Sequence, residues 1–241
     1  MSIAADIIMS TPNFRFKQFT IWHDKCAMKV GTDGVLLGAW CPKGTRILDV
    51  GTGSGLIARM LMQRCPDAEI EGIDIDEAAV EQARENGVRA FQARLQDWQN
   101  DKSQNTNYKY DLIVSNPPYF QNSLKNPDKG RQTARHTDTL PFAELIRHSA
   151  RLLKEGGQLA LILPAEAEAE VRQLAAAENL FLAHVTRVYS KENKKPKRVL
   201  LTFQLKIGDF RFDILEDSLV LEDENGGRSE AYRQLTKDFY L

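Results

Sequence analysis

The sequence predicts an α/β fold, with a mostly parallel sheet covered by helices on both faces. Two observations predict it. Short apolar runs of strand length alternate with segments of helical periodicity through most of the 241 residues, and such alternation builds a parallel sheet. One of those runs also ends in a dense glycine turn that leads straight into a helix, the strand–turn–helix unit from which these sheets are assembled.

The elements follow in order. Arg46–Val50 (RILDV) is a first strand, stopped by the glycine turn. In Leu56–Cys65, Ile57, Met60 and Leu61 fall on one helical face at i, i+3 and i+4. Glu69–Asp74 (EIEGID) is a second strand, and Asp76 is placed to cap a helix running to Asn86. Val88–Ala93 reads as a third strand, the polar stretch Gln99–Asn107 as a loop, and Tyr110–Ser115 (YDLIVS) as a fourth strand. Proline at its start and Gly156-Gly157 past its end bracket a helix over Pro141–Lys154. Strand Gln158–Leu163, the Ala/Glu-rich helix Ala165–Glu178, and strands Phe181–Tyr189 and Arg198–Leu205 complete a seven-stranded set. Beyond Gly208 come two short strand-like runs, a Gly226-Gly227 turn and a helix around Ser229–Phe239. Three parts result: an N-terminal extension over 1–45, a core over 46–207, and a tail over 208–241. The tail is too short for a core of its own and is expected to pack on the main one. By composition, Gly31-Thr-Asp-Gly34 reads as a turn.

Composition excludes several classes. With 42% apolar and 27% charged residues the chain is an ordinary globular one, and no apolar run approaches the ~20 residues of a membrane span. The opening Met1–Ile8 has no basic leader, and Asp6 interrupts its apolar stretch, so no signal peptide is expected. Cys26, Cys41 and Cys65 are odd in number and far apart. They predict neither a disulfide framework nor a paired zinc motif. His23-x-x-Cys26 has ligand-like spacing but lacks a second pair, so no metal is expected, and the default is a reduced, cytoplasmic monomer. Net charge is −1, yet unevenly spread: residues 184–206 hold seven bases against one acid, and residues 121–154 seven against three. Such segments suit a polyanion, although solvated loops and helix faces read the same way. The tail carries nine acids against four bases over 209–241, which argues against contact with RNA.

Three motifs carry chemistry. Asp49-Val-Gly51-Thr-Gly53-Ser-Gly55 lets the backbone pass close beneath a ligand at the carboxyl end of the sheet. Its spacing departs from the dinucleotide fingerprint. The acid Asp49 would repel a pyrophosphate but suits an amino group and a sulfonium, which favours S-adenosylmethionine over NAD. Asp74, at the end of the next strand, can accept both ribose hydroxyl protons, and Ile75 can cover one adenine face. Asp76 competes for the ribose, but its place suits a cap. The most specific motif is Ser115-Asn116-Pro117-Pro118-Tyr119, directly after the fourth strand. An amide or exocyclic NH2 is a poor nucleophile because its lone pair is delocalised. The Asn116 side-chain oxygen and the Pro117 carbonyl can accept its two hydrogens, and the prolines hold those acceptors in place. Tyr119 offers a ring on which a flipped base can stack.

On these residues the chain resembles class I S-adenosylmethionine-dependent N-methyltransferases. More narrowly, it resembles the bacterial valine-tRNA adenine-37 N6-methyltransferases, and the likeness runs nearly end to end. It includes the opening block Phe16-Lys-Gln-Phe19 through His23 to Trp40, Arg198-Val-Leu-Leu, and the ending Glu230-Ala-Tyr to Phe239-Tyr-Leu. The resemblance implies a Rossmann-like class I methyltransferase fold with a seven-stranded mostly parallel sheet, S-adenosylmethionine as cofactor and valine tRNA as substrate. It also implies that the N-terminal extension closes the cofactor site through Lys29, Thr32 and Asp33. Related enzymes often place an acid just after the third strand, against the adenine amino group. Here Ala93-Arg94 occupies that place, and Asp97 is the candidate substitute.

Three functions compete. In the first, a flipped adenine enters the Asn116–Tyr119 pocket while Lys194, Lys195, Lys197, Arg198, Arg131 and Arg135 hold phosphates. In the second, the same pocket takes another acceptor: a glutamine amide in a release factor, a DNA adenine or a ribosomal RNA guanine. The third, a non-catalytic nucleotide- or RNA-binding module, has no use for the ordered Asn-Pro-Pro-Tyr.

Overall fold

A computed structural model describes residues 12–26, 28–98, 109–118, 140–206, 208 and 213–241. A two-stranded hairpin, β1 (Asn13–Arg15) and β2 (Thr20–Trp22), leads to helix α1 (Thr32–Trp40). Then follow β3 (Arg46–Val50), α2 (Leu56–Arg64), β4 (Glu69–Asp74), α3 (Glu77–Glu85), β5 (Arg89–Gln92) and β6 (Tyr110–Ser115). The second half holds α4 (Phe142–Leu152), β7 (Leu153–Pro164), α5 (Glu168–Ala177), β8 (Leu180–Tyr189), β9 (Arg198–Leu205), β10 (Leu215–Val220) and α6 (Glu230–Thr236).

Among the described residues, eight strands form one sheet in the order β10-β8-β9-β7-β6-β3-β4-β5. Only β9 runs against the rest, pairing antiparallel with both β7 and β8. The eighth strand corrects the expected seven. It comes from the tail, whose β10 pairs in parallel with β8 from Leu215↔His184 to Val220↔Tyr189. Without it the outer edge of β8 would present a row of unpaired backbone groups.

Alternation along each strand divides the core between two faces. Ile47, Leu112, Val114, Ile162 and Leu200 meet α1, α2, α3 and α6 on one side; Leu48, Ile113, Leu161, Leu163 and Leu201 meet α4 and α5 on the other. A third cluster joins Phe16, Phe19 and Ile21 of the hairpin region to Val35, Met60 and Phe239. Leu37, fully buried in α1, illustrates the scale: Leu37→Ala would cost about 3 kcal/mol.

Two local expectations change. Gly31-Thr-Asp-Gly34 is not a free turn, since α1 begins at Thr32 with Gly31 as its N-cap. Gly156-Gly157 does not end α4, which stops at Leu152, but lies inside β7. The pairing of β7 with β6 slips there between Tyr110 and Leu112. Gly156 has φ +72°, and a Cβ on Gly157 would come within 2.9 Å of the Tyr110 carbonyl oxygen. A left-handed backbone at Gly156 and backbone crowding at Gly157 therefore call for glycine at this irregularity.

Candidate active site

Between β3 and β6 the order of strands reverses: β4 and β5 lie to one side, β6 and β7 to the other. Loops leaving the carboxyl ends of strands at such a point open a crevice. Here it is a cavity of about 300 Å³ whose walls include Gly51, Gly53, Asp74, Ile75, Gln96 and Pro117.

The glycine loop is folded back on β4. The N–H groups of Gly51 and Thr52 both donate to the Ile73 carbonyl, at 2.8 and 3.0 Å. Gly51, Gly53 and Gly55 have φ of +70°, +55° and +79°. Their tasks differ. Among the described residues a Cβ on Gly51 or Gly53 would meet no atom within 4 Å, so both open onto the cavity, whereas one on Gly55 would lie 2.7 Å from Val88 Cγ2. Gly55 therefore lets α2 approach α3.

Asp49 is fully buried beneath the loop. Its Oδ2 accepts from Thr52 Oγ1 at 2.8 Å and from Ala58 N–H at 3.2 Å, while Oδ1 has no hydrogen-bond partner among the described residues. Burial, with the charge of Asp74 adding to it, pushes its carboxyl up to about 7. It lies below the cavity wall and does not line it. Asp74 does: its Oδ2 accepts the Gly53 N–H at 2.9 Å and its Oδ1 the Asp76 N–H at 3.1 Å. Asp76 caps α3 through Ala78 N–H and also touches the cavity. Ile75 stands in the wall with 44% of its surface exposed, an apolar face ready for a planar ring.

Across the cavity, Ser115 Oγ donates to the Val50 carbonyl at 2.8 Å and ties the end of β6 to the end of β3. Asn116 follows, half-buried, then buried Pro117 and exposed Pro118, both in the wall. Tyr119 lies outside the described residues, as do Arg131, Arg135 and the loop expected over 99–107.

Other expected positions are redistributed. Lys29, Thr32 and Asp33 do not line the cavity; from that segment Cys26 and Met28 do. Asp33 is instead paired with Arg198, whose Nε donates to its Oδ2 at 2.8 Å. That pair fastens α1 to β9 and employs Arg198 in structure. Asp97 also misses the wall: its N–H turns back to the Arg94 carbonyl, and Gln96 faces the cavity. Lys194, Lys195 and Lys197 are exposed on the loop between β8 and β9. Arg198 pairs with Pro164, the last residue of β7, so this loop shares the sheet edge that carries Ser115 and Val50.

These residues fit S-adenosylmethionine. Two positive-φ glycines leave room where a Cβ would stand, Asp74 offers a carboxylate, and Asp49 keeps an unpartnered buried oxygen beneath the loop.

Comparison with known proteins shows the family of the chain. A family model described as the methyltransferase small domain matches residues 30–190. A tRNA1(Val) (adenine(37)-N6)-methyltransferase of Bacteroides fragilis is 44% identical, over 97% of this chain and 99% of its own. One of the same name from Parabacteroides distasonis is 47% identical with the same coverage. Among solved structures, a predicted O-methyltransferase from Agrobacterium tumefaciens superposes with a TM-score of 0.65 at 18% identity, covering 86% of this chain and 96% of its own; that likeness speaks for the fold. Identity of this extent along nearly the whole of both chains is inherited, and the chain therefore belongs to the methyltransferase small domain family and, within it, to the tRNA1(Val) (adenine(37)-N6)-methyltransferases.

Proposed function

We propose that the chain methylates the exocyclic N6 amine of adenine 37 in the anticodon loop of valine tRNA. Two relatives bear that activity in their names. The observation that carries the reading is the placing of Asn116-Pro117 at the end of β6, next to the strand end from which the glycine loop departs. When bound, S-adenosylmethionine supplies a methyl group on a sulfonium sulfur. Gly51 and Gly53 would give it room, Asp74 would accept from its ribose hydroxyls, and Ile75 would pack on its adenine. Asn116 Oδ1 and the Pro117 carbonyl oxygen accept the two hydrogens of the substrate amine and fix its lone pair toward the cavity. The methylated nitrogen is acidic enough to release its proton to solvent, so these residues need no strong base beside them.

The lysines at 194, 195 and 197 lie on the edge where an anticodon loop would enter, suited to its phosphates. We take the enzyme to act as a single chain in the cytoplasm, the compartment in which its tRNA substrate would be met; among the described residues no helix is long and apolar enough to cross a membrane.

The test is transfer of labelled methyl into unmodified valine tRNA, with a release factor and duplex DNA in parallel. N6-methyladenosine in the anticodon loop, lost in Asn116→Ala, is the expected result. Label in the release factor alone would overturn the substrate, and full turnover by Asn116→Ala would overturn the role of that residue.

A further inference from the structure

We propose that Asn86 and Gln82, which do not line the cavity, are positioning residues that set its affinity for the cofactor by fixing the segment that carries Cys26 and Met28. The proposal rests on the methyltransferase reading above.

Gln82 is fully buried in α3, and Asn86, at the end of that helix, is nearly so. A carboxamide there would ordinarily satisfy its own helix end. Asn86 does not. Its Oδ1 accepts the Trp22 N–H at 2.9 Å, and its Nδ2 donates to the Trp22 carbonyl at 2.7 Å and the Ser54 carbonyl at 2.8 Å. One acceptor and two donors thus bind two segments remote in sequence. Ser54 adjoins Gly53 in the glycine loop, and Trp22 begins the run to Cys26. Three residues on, the Lys25 N–H donates to Gln82 Oε1 at 2.8 Å, while Gln82 Nε2 donates to Glu85 at 3.1 Å. The Val30 N–H returns to buried His23 Nδ1 at 3.3 Å.

Trp22–Cys26 therefore lies along α3 from its C-terminal end toward its start, where Cys26 joins Asp76 and Ala79 in the cavity wall. Asn86 fixes the spacing between this segment and the glycine loop on buried hydrogen bonds, which hold geometry more firmly than exposed ion pairs. The amine pocket at Asn116–Pro118 hangs from β6 and shares none of these bonds. Loss of the clamp should weaken cofactor binding and leave methyl transfer intact.

Asn86→Ala and Gln82→Met, made in the full chain, test this. Gln82→Met removes the acceptor for Lys25 while filling a similar volume, so it carries the test if Asn86→Ala fails to fold. S-adenosylhomocysteine binding by calorimetry and steady-state kinetics are the readouts. Cofactor Kd and KM should each rise about tenfold, with kcat at saturating cofactor and KM for tRNA within about twofold of the parent. A folded Gln82→Met chain with unchanged cofactor affinity, or one whose kcat falls in step with affinity, overturns the proposal. Failure of the parent chain to bind S-adenosylhomocysteine would overturn the methyltransferase reading beneath it.

Discussion

Asp74 Oδ2 accepts the Gly53 N–H at 2.9 Å, so the carboxylate at the end of β4 also holds the glycine loop. Each of its oxygens keeps further lone-pair capacity, and the side chain lines the cavity. Asp74→Ala should therefore lose both the loop tie and the ribose acceptor, weakening S-adenosylhomocysteine binding about 100-fold. Asp76→Ala loses a helix cap and should lower stability by about 1 kcal/mol with a smaller effect on binding. Calorimetric titration beside thermal unfolding separates the two; equal binding losses would mean that Asp76 shares the ribose.

The loop's glycines divide in the same manner. Gly51→Ala and Gly53→Ala meet no atom of the described residues and carry only the cost of a left-handed backbone, about 1–2 kcal/mol. Their methyl groups occupy cofactor space, so binding should fall well below what that destabilisation explains. Gly55→Ala drives a Cβ to 2.7 Å from Val88 at the same kind of φ and should destabilise by about 3 kcal/mol or more. Melting curves with and without S-adenosylhomocysteine check this: ligand should raise Tm in Gly55→Ala and not in the other two.

Strands Arg46–Val50, Glu69–Asp74 and Tyr110–Ser115 are observed at the bounds that the residues imply, because each is buried on both faces along most of its length and stopped by turn chemistry. The glycine loop, Asp74 and Asn116 sit at those strand ends and were legible for that reason. Helix α1 was not. Its residues Gly34 through Ala39 are all buried, so no polar face marks a helical period. Gly34, which read as part of a turn, and Gly38 serve packing: a Cβ on Gly34 or Gly38 would strike Leu56 at 2.9 Å or Met60 at 2.7 Å. The cavity residues Cys26, Met28 and Gln96 were equally hidden. They arrive on segments held by distant partners, the first two by Asn86 and Gln82. Gln96 lies on a stretch anchored by Trp98, whose indole N–H donates to Tyr110 Oη at 3.2 Å. Whether Gln96 or Asp97 faces inward is a matter of one residue in that turn, which residue type does not encode.

Asp49 predicts a pH dependence. With its carboxyl pushed up to about 7 by burial, the folded chain holds a proton that the unfolded chain has lost from about pH 4 upward. Its contribution to stability is full below about pH 4 and is lost as pH rises through about 7. A cationic cofactor above the loop favours the carboxylate. Affinity for S-adenosylmethionine should thus rise several-fold between about pH 6 and pH 8, with release of a proton on binding. Calorimetry in buffers of different ionisation enthalpy measures that proton, and Asp49→Asn should abolish it.

The loop between β8 and β9 makes the last prediction. It is turned by Lys194 N–H to the Lys191 carbonyl and closed by Lys197 N–H to the Val188 carbonyl, so its shape depends on backbone bonds and not on lysine side chains. Arg198 is engaged by Asp33 and Lys191 by Glu222, at 2.8 and 3.6 Å. Replacing Lys194, Lys195 and Lys197 with alanine should consequently leave folding unchanged and raise KM for tRNA, with kcat preserved. If all three meet phosphates, the slope of log affinity against log salt should become shallower by about 2, since each single-strand contact contributes roughly 0.7. Arg198→Ala should act differently, lowering Tm through the lost tie to α1 and changing the salt slope little. A triple variant with the parent's salt dependence would remove this loop from the RNA-binding surface and leave the entry of the anticodon to other residues.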